Sequence, residues 1–150
     1  DKGPILAQQK LTIVDKDTRE SLTKKLARLG GKLMVETLKL LENEQIKAVS
    51  QPKKSPTKMT RKLTKTDGRI DWTQSPAVIE RFIRSVTPWP GASAAAEITI
   101  KGPKVKTFRL KVLKAHLKSG SLEIDLVQLP GKNPISWKQF AAGRPGVELG

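Results

Sequence analysis

Apolar and polar residues alternate through much of the second half of the chain, and this two-residue period restricts the fold more than any other feature of the sequence. Successive side chains of a β-strand point to opposite faces of the sheet. The apolar members of the pattern are Ile98, Ile100, Phe108, Leu110, Val112, Leu122, Ile124 and Leu126. After Val112 the phase slips by one residue, which predicts a β-bulge. With turn signals at residues 101–104 and at Ser119-Gly120, the segment is typical of a small curled sheet.

The first half of the chain carries the period of an amphipathic α-helix instead. Its leucines recur mostly at intervals of three and four, at Leu22, Leu26, Leu29, Leu33, Leu38 and Leu41. Asp17 or Thr18 is placed to be the N-cap. Gly30 and Gly31 interrupt the pattern and cost about 2 kcal/mol of helix propensity relative to alanine, so we expect a kink or close packing there. Such a helix needs a partner layer for its apolar face.

A second helix is predicted after Trp72. Ser75 is its N-cap, Pro76 occupies the first helical position, and Pro88 ends it. Its predicted buried stripe consists of Val78, Ile79, Phe82, Ile83 and Val86. For Trp72 and Trp89, which flank this helix, we expect a role as core anchors rather than as surfaces for base stacking.

A basic, proline-containing segment separates the two halves. Residues 51–70 hold seven basic side chains and one acidic side chain, within a net charge of +15 for the whole chain. Pro52 and Pro56 block regular structure, so residues 48–66 are predicted to be a linker. Because its cations repel one another, the linker should be extended, and its charge suits a phosphate backbone. A merely solvated basic surface is the alternative.

A second concentration of positive charge lies on the predicted sheet. Between Lys101 and Lys118 there are seven basic residues and no acidic one. Folding does not require this bias, because any polar residue would serve on a solvent-facing strand. We therefore predict that both concentrations contact nucleic acid. The predicted binding residues are Lys53, Lys54, Lys58, Arg61, Lys62, Lys65, Arg69, Lys106, Arg109, Lys111 and Lys114. His116, which joins this outward row, is interpreted as a surface polar residue rather than a catalyst.

Several kinds of site are excluded by residues that the sequence lacks. Without cysteine there is no disulfide and no thiolate metal site, and a single histidine rules out a multi-histidine site, so we predict no metal. The chain has no glycine-rich phosphate loop and no Ser-His-Asp framework. No apolar run approaches the roughly 18 residues that span a bilayer, so we expect a cytoplasmic protein with no membrane partner. Composition and pattern alone predict a basic, two-part chain that binds nucleic acid.

Longer motifs in this order resemble the C-terminal half of the methionyl-tRNA formyltransferase family. They are Asp-Lys-Gly-Pro-Ile-Leu at 1–6, the leucine-rich segment with its glycine pair at 17–33, Lys-Leu-Thr-Lys-Thr-Asp-Gly-Arg-Ile-Asp-Trp at 62–72, Ile-Arg at 83–84, Pro-Trp-Pro-Gly-Ala at 88–92, Gln-Leu-Pro-Gly-Lys at 128–132 and Phe-Ala-Ala-Gly-Arg at 140–144. The first motif is shared with other folate-dependent formyltransferases. The motifs at 68–72 and 88–92, at this spacing, are specific.

The resemblance implies an activity in translation initiation: formyl transfer from 10-formyltetrahydrofolate to the amino group of initiator methionyl-tRNA. Asp1 matches the family's catalytic aspartate, which would help to organise proton transfer. The family's catalytic Asn and His would lie before residue 1, and so would most of the site for the formyl donor. His116 does not match that histidine. We therefore expect residues 1–150 alone to be inactive, and the basic residues to hold the tRNA.

The resemblance also implies an α+β fold in two parts. Residues 1–47 would be the edge of a Rossmann-like formyltransferase domain, contributing a strand and a helix. Residues 48–66 would link it to residues 67–150, a small OB-like β-barrel with flanking helices that binds tRNA. Less strand sequence precedes the motif at 128–132 than is usual in the family, so we expect an abbreviated barrel of roughly three or four strands, left open. A monomer is expected.

Two other interpretations stay open. A formyltransferase that acts on a small amine, such as a sugar nucleotide, is compatible with the motif at 1–6 but gives the basic segments no purpose. A freestanding basic module that binds nucleic acid without catalysis would fold stably on its own. Residues 1–47 of a formyltransferase, in contrast, should fold poorly when their helix lacks the sheet that it covers.

Overall fold

A computed structural model describes residues 3–53, 57–58, 60–100 and 104–149, and it divides the chain into two compact units, Asp1–Lys62 and Leu63–Gly150. The elements in chain order are α1 (Arg19–Glu42), a 3₁₀ turn (Lys65–Gly68), α2 (Pro76–Val86), β1 (Ala92–Ile100), β2 (Lys104–Lys118), β3 (Ser121–Gln128), β4 (Ile135–Ser136), α3 (Trp137–Ala142) and β5 (Glu148–Leu149). The described residues therefore form a mixed α and β structure. None of the described helices has the length and apolar character needed to cross a membrane.

The first unit is built around α1, which begins at a capping box. The Thr18 hydroxyl accepts a hydrogen bond from the Ser21 backbone N–H at 3.1 Å, and the Thr18 N–H donates to the Ser21 hydroxyl at 3.0 Å. The close packing that was one of the two expectations for Gly30 and Gly31 is wrong, because no neighbouring atom lies within 4 Å of a Cβ at either glycine. The helix continues past both residues as one element. An exposed glycine pair lowers helix propensity without demanding a packing partner.

No residue of α1 is buried within the described residues. Its exposed large apolar side chains are Leu26, Met34, Val35, Leu38, Leu40 and Leu41. The extended segment that precedes the helix makes one antiparallel bridge, between Ile5 and Val49, with backbone hydrogen bonds of 2.7 and 2.9 Å. The predicted amphipathic helix is therefore present, and its apolar face is open to solvent.

The second unit contains a five-stranded antiparallel sheet in the order β4-β3-β2-β1-β5. The predicted bulge is confirmed, because the register between β2 and β3 shifts on both sides of Lys114. The turn between these strands is also confirmed, with Ser119 and Gly120 at φ of 50° and 82°. The hairpin turn predicted at residues 101–104 falls largely outside the described residues. The expected three or four strands are too few, because β4 and β5, at two residues each, carry no readable alternation.

The core of the second unit lies between one face of the sheet and the helices α2 and α3. Ile79, Ile83 and Val86 of α2 pack with Ala92, Ala94 and Val112 of the sheet. Phe140 of α3 packs with Ala96, Leu110 and Val127 in a neighbouring cluster. Small alanines on β1 let the helices approach the sheet closely. Because both helices pack on this one face, they leave the opposite face of β1 and β2 uncovered.

Two predictions about buried residues are corrected here. Val78, placed in the buried stripe of α2, is 40% exposed because it lies in the first helical turn, beside the open end of the helix. Trp89, expected to anchor the core, is 45% exposed. Trp72, in contrast, packs against the main core cluster as expected.

Candidate nucleic-acid interface

A basic cleft opens on the second unit, between the 3₁₀ turn and the face of the sheet opposite the core. Its volume is about 520 Å³. The lining residues are Lys65, Thr66, Arg69, Ser93, Ala94, Ala95, Thr107, Phe108 and Arg109. Three of the residues predicted to bind nucleic acid, Lys65, Arg69 and Arg109, therefore meet at one place although 44 positions separate the first from the last in the sequence.

The local sequence explains how Lys65 is positioned. Asp67 closes the 3₁₀ turn by accepting hydrogen bonds from the Thr64 backbone N–H at 2.6 Å and from the Thr64 hydroxyl at 2.8 Å. Such side-chain contacts around an N-terminus fix how the chain enters a turn. Lys65, the first residue of that turn, is consequently held exposed at the cleft.

Arg69 is held in place by the edge of β1. Arg69 forms a parallel bridge with Ser93, in which the Ile70 N–H donates to the Ser93 carbonyl at 2.9 Å. The Ser93 hydroxyl also donates to the Gly68 carbonyl at 3.3 Å. Because adjacent residues of an extended chain face opposite ways, buried Ile70 enters the core and Arg69 is exposed.

Gly68 permits this bridge because it has no side chain. A Cβ atom on Gly68 would lie 2.1 Å from the Gly91 carbonyl oxygen, and 3.5 Å from Cγ of Pro90. The two motifs that carried the family resemblance, at 68–72 and 88–92, therefore touch each other through their glycines. The close approach of two backbones sets the position of Arg69 relative to β1.

Arg109 and Lys111 are exposed on the face of β2 that looks away from the core. Their partners across the ladder are Ala95 and Ser93. These short side chains leave room beneath the two cations, and this is why the surface is concave. Nothing in the basic pattern points to Ser93, Ala95 or Thr107. The signal that could have found them is the run of small residues at 92–96, placed opposite a basic strand.

The bulge keeps the basic row on one strand exposed. Lys111 and Lys114 are both exposed although three positions separate them, a spacing that would put them on opposite faces of a regular strand. The register shift around Lys114 absorbs the extra residue, so Val112 and Ala115 can both be buried. No carboxylate of the described residues lies within ion-pair distance of Lys65, Arg69, Arg109, Lys111 or Lys114.

Several carboxylates of the second unit have partners outside the cleft. His116 approaches Asp125 at 2.9 Å and Glu123 at 3.7 Å, and Lys118 approaches Glu123 at 3.2 Å. Asp71, two residues after Arg69, accepts hydrogen bonds from the Thr73 hydroxyl, from the Gln74 amide and from the Thr73 N–H, and these lower its pKa. The cleft and the adjoining part of β2 therefore carry cations with no carboxylate of the described residues within ion-pair distance, and a polyanion would be attracted there.

The remaining predicted residues are not brought to the cleft by the described structure. Lys53, Lys58, Arg61 and Lys62 belong to the first unit and are exposed. Arg61 donates to the Lys62 carbonyl at 3.1 Å. Asp1 and Lys54 lie outside the described residues, and Lys106 lies on β2 with a side chain that is outside the described part of the structure.

Comparison with known proteins identifies the class to which this architecture belongs. Residues 62–120, which contain the whole lining of the cleft, match the family described as formyl transferase, C-terminal domain. The chain as a whole is homologous to the C-terminal portion of methionyl-tRNA formyltransferases, and so belongs to that family.

The relatives that support this assignment are bacterial. The chain is 35% identical to the methionyl-tRNA formyltransferase of Gluconobacter oxydans over 97% of its own length and 50% of the relative's. It is 32% identical to that of Hahella chejuensis, over 100% of its own length and 52% of the relative's. A third, from an Anaeromyxobacter strain, is 43% identical over 65% of this chain and 31% of the relative. The chain thus spans about half the length of the curated relatives it matches.

Proposed function

We propose that this chain is the tRNA-binding, C-terminal portion of a methionyl-tRNA formyltransferase, and that it holds initiator methionyl-tRNA while the methionyl amino group is formylated. The observation that carries the proposal is the convergence of Lys65, Arg69 and Arg109 in one cleft of the family's C-terminal domain. Closely spaced cations without carboxylate partners favour a phosphate backbone, because each contact releases counterions.

In this proposal the two parts of the chain have different roles. Residues 1–47 form the edge of a Rossmann-like catalytic domain, residues 48–66 form a linker, and residues 67–150 form an abbreviated, OB-like tRNA-binding barrel. The exposed apolar residues of α1 support the first assignment, since a helix of this length with no buried residue lacks its packing partner. The curled five-stranded sheet with its bulge supports the last.

We place the chemistry largely in the part of the relatives that this chain does not cover. Membership of the family implies a folate-type formyl donor, which we propose is 10-formyltetrahydrofolate. The basic cleft is open, with Ser93 and Ala95 at its base, and it does not fit the enclosed pocket that a pteridine ring requires. Asp1 is proposed as the aspartate that organises proton transfer, so residues 1–150 alone should bind tRNA without formylating it. We further propose a monomeric, cytoplasmic protein.

The proposal is tested by measuring how tRNA affinity depends on salt. With about six phosphate contacts, the logarithm of the binding constant should fall against the logarithm of salt concentration with a slope of about −4 to −5. Replacing Lys65, Arg69 and Arg109 with glutamine should reduce that slope by about 2 to 3. The binding is measured by fluorescence anisotropy of labelled tRNA between about 50 and 200 mM salt.

The matched control removes the same charge from elsewhere on the second unit. Arg81, Lys132 and Lys138 are exposed and do not line the cleft. Their triple glutamine variant has the same net charge as the cleft variant and should leave most of the slope intact. Equal losses in the two variants would mean that net charge, and not the cleft, governs binding. A wild-type affinity that does not respond to salt would refute the proposed function.

A further inference from the structure

Trp89 is the single exposed aromatic side chain among the six that the sequence contains, all of which lie in the described part of the chain. It is 45% exposed, whereas Phe140 is fully buried and Trp72, Phe82, Phe108 and Trp137 are partly buried against the core. Large apolar rings normally pack in the core or at an interface. Trp89 is therefore the aromatic side chain of this chain with the largest exposed fraction, and its ring surface is accessible to a ligand.

The chain around Trp89 connects it to the basic cleft. Gly91 follows two residues later, so the Cα atoms of the two residues are at most about 7.6 Å apart. Gly91 meets Gly68, the residue before Arg69, at the close backbone approach described above. Gly91 also lies beside Lys111, whose Cε and Cδ atoms would be 3.6 and 3.7 Å from a Cβ on that glycine. The Trp89 segment thus leads into Gly91, which packs against Lys111 and against the residue that precedes Arg69.

The neighbouring residues restrict how far the Trp89 segment can move. Pro88 and Pro90 fix their own φ angles on either side of the ring. The Gly91 N–H donates to the Val86 carbonyl at 2.8 Å, and the Thr87 hydroxyl donates to the Ile83 carbonyl at 2.7 Å, which attach both ends of the segment to α2. A ring displayed on a restrained backbone loses little conformational entropy when a ligand stacks on it.

We propose that Trp89 is a stacking platform for an unpaired nucleotide of the RNA bound at the basic cleft, an inference that rests on the proposed function. Cations bind any phosphate backbone, whereas unpaired bases are recognised by stacking on aromatic or guanidinium planes. A base in a duplex is already stacked on its neighbours and cannot use the ring. Trp89 would therefore select RNA with an accessible base, which charge alone cannot do.

A protein partner is a weaker explanation for the same exposure. A typical protein interface buries about 800 Å² on each partner and has an apolar centre. Among the second-unit side chains that the structure describes, the other exposed large apolar residues are Leu63, Val78 and Leu117, and each lies on a different segment from Trp89. An exposed aromatic ring on a segment that packs against Lys111 and against the residue before Arg69 matches a nucleotide, which combines an apolar ring with a negative phosphate.

The test compares Trp89→Leu and Trp89→Phe with the wild-type 150-residue chain. Each is titrated with a single-stranded RNA and with a blunt-ended RNA duplex of equal phosphate number, which has no unpaired base. Trp89→Leu should weaken binding of the single strand by about 5- to 150-fold, the range expected for losing one stacked base. It should leave duplex affinity and the salt slope unchanged, because no charge is removed. Trp89→Phe, which keeps a smaller ring, should lose less affinity for the single strand.

Native fluorescence supplies a readout that a purely structural role would not move. Stacking of a base on Trp89 should quench tryptophan emission when the single strand is added. The quench should be absent in Trp89→Phe, where Trp72 and Trp137 remain. Melting curves verify that both variants fold.

Each outcome decides the proposal. Equal single-strand affinity for wild type and both variants would overturn the stacking role while salt-dependent binding of the wild type still upheld the proposed function. Equal losses for the single strand and the duplex would also overturn it. A wild-type chain that bound neither RNA would overturn both. Selective loss of single-strand binding together with loss of quenching would support the stacking role.

Discussion

Replacing Gly68 with alanine should damage both the stability of the second unit and the position of Arg69. The added Cβ would lie 2.1 Å from the Gly91 carbonyl oxygen, whereas real Cβ atoms essentially never approach another atom within 3.0 Å. One of the two backbones must therefore move by roughly 0.9 Å at least. Neither is the end of a flexible side chain, so the movement disturbs the bridge between Arg69 and Ser93.

The cost of that movement can be bounded from the structure. Overpacking in a close-packed interior costs about 1–3 kcal/mol. Weakening the 2.9 Å hydrogen bond from Ile70 to Ser93 adds about 1 kcal/mol. Alanine also restricts the unfolded chain, which raises the free energy of unfolding by about 0.4–1 kcal/mol. A net loss of about 2 kcal/mol corresponds to a fall in melting temperature of about 8–16 °C for a unit of 60–100 residues.

Tryptophan fluorescence provides a clean assay for this change. All three tryptophans belong to the second unit, so their emission reports its unfolding without a signal from the first. Gly143→Ala is the matched control, since the nearest atoms to its Cβ would be ordinary contacts at 3.9 Å. The control should melt within about 2–4 °C of wild type, as expected for a change of 0.5 kcal/mol.

The outcome also bears on RNA binding. Below its melting temperature, Gly68→Ala should bind tRNA more weakly than wild type although it carries the same charge, because Arg69 is displaced from the cleft. If Gly68→Ala melts at the same temperature as Gly143→Ala, the close contact between the two backbones does not exist in solution. The account of how the cleft is positioned would then fail.

The other predictions concern the first unit. The pKa of Asp17 is about 2, lowered from 3.8 chiefly by its hydrogen bond to Lys25 and then by that from Ser21. Because the folded-state pKa is depressed, Asp17 should stabilise the start of α1 above about pH 4 and lose this effect as the pH falls towards 2. Asp17→Asn should flatten the acid limb of the far-UV circular dichroism titration, and superimposable titrations would contradict this. Gly31→Ala should stabilise α1 by about 1 kcal/mol, the difference in helix propensity between the two residues, since nothing lies near the added methyl. The ellipticity at 222 nm should become more negative. Unchanged ellipticity would contradict an exposed helix. Leu38→Gln should not lower the melting temperature of the 150-residue chain, because that side chain is already 55% exposed.

The sequence predicted the elements of the fold wherever the periodic pattern of apolar and polar residues extended over several residues. The leucine spacing predicted α1, and the slip after Val112 predicted the bulge, because a change of phase in a period-two pattern admits few explanations. The short strands β4 and β5 were not readable, since two residues cannot display a period. The burial predicted for Val78 was wrong for a related reason, because the helical period assigns this residue to the apolar face but does not show where the sheet ends; Val86, at the other end of α2, is buried as predicted.

The sequence indicated which residue types form the candidate site but not where in the fold they meet. Eleven basic residues were predicted to contact nucleic acid, and their sequence positions could not indicate that Lys65, Arg69 and Arg109 share a cleft, because this depends on Arg69 pairing with Ser93, 24 positions later. Ser93 and Ala95 have no chemistry of their own. Their contribution is an empty volume beneath Arg109, which only the register of β1 on β2 determines.

Trp89 shows why an aromatic residue between two prolines is ambiguous in sequence. Restriction of the backbone by proline is equally compatible with a ring packed into the core and a ring displayed on the surface. In the structure the Gly68–Gly91 contact brings the 88–92 motif against the 68–72 motif, and the Trp89 ring is exposed. The same contact that sets Arg69 at the cleft thus sets the segment that carries Trp89. A change at Gly68 should therefore impair charge-dependent and stacking-dependent binding together, whereas changes at Arg69 or Trp89 should impair only one of them.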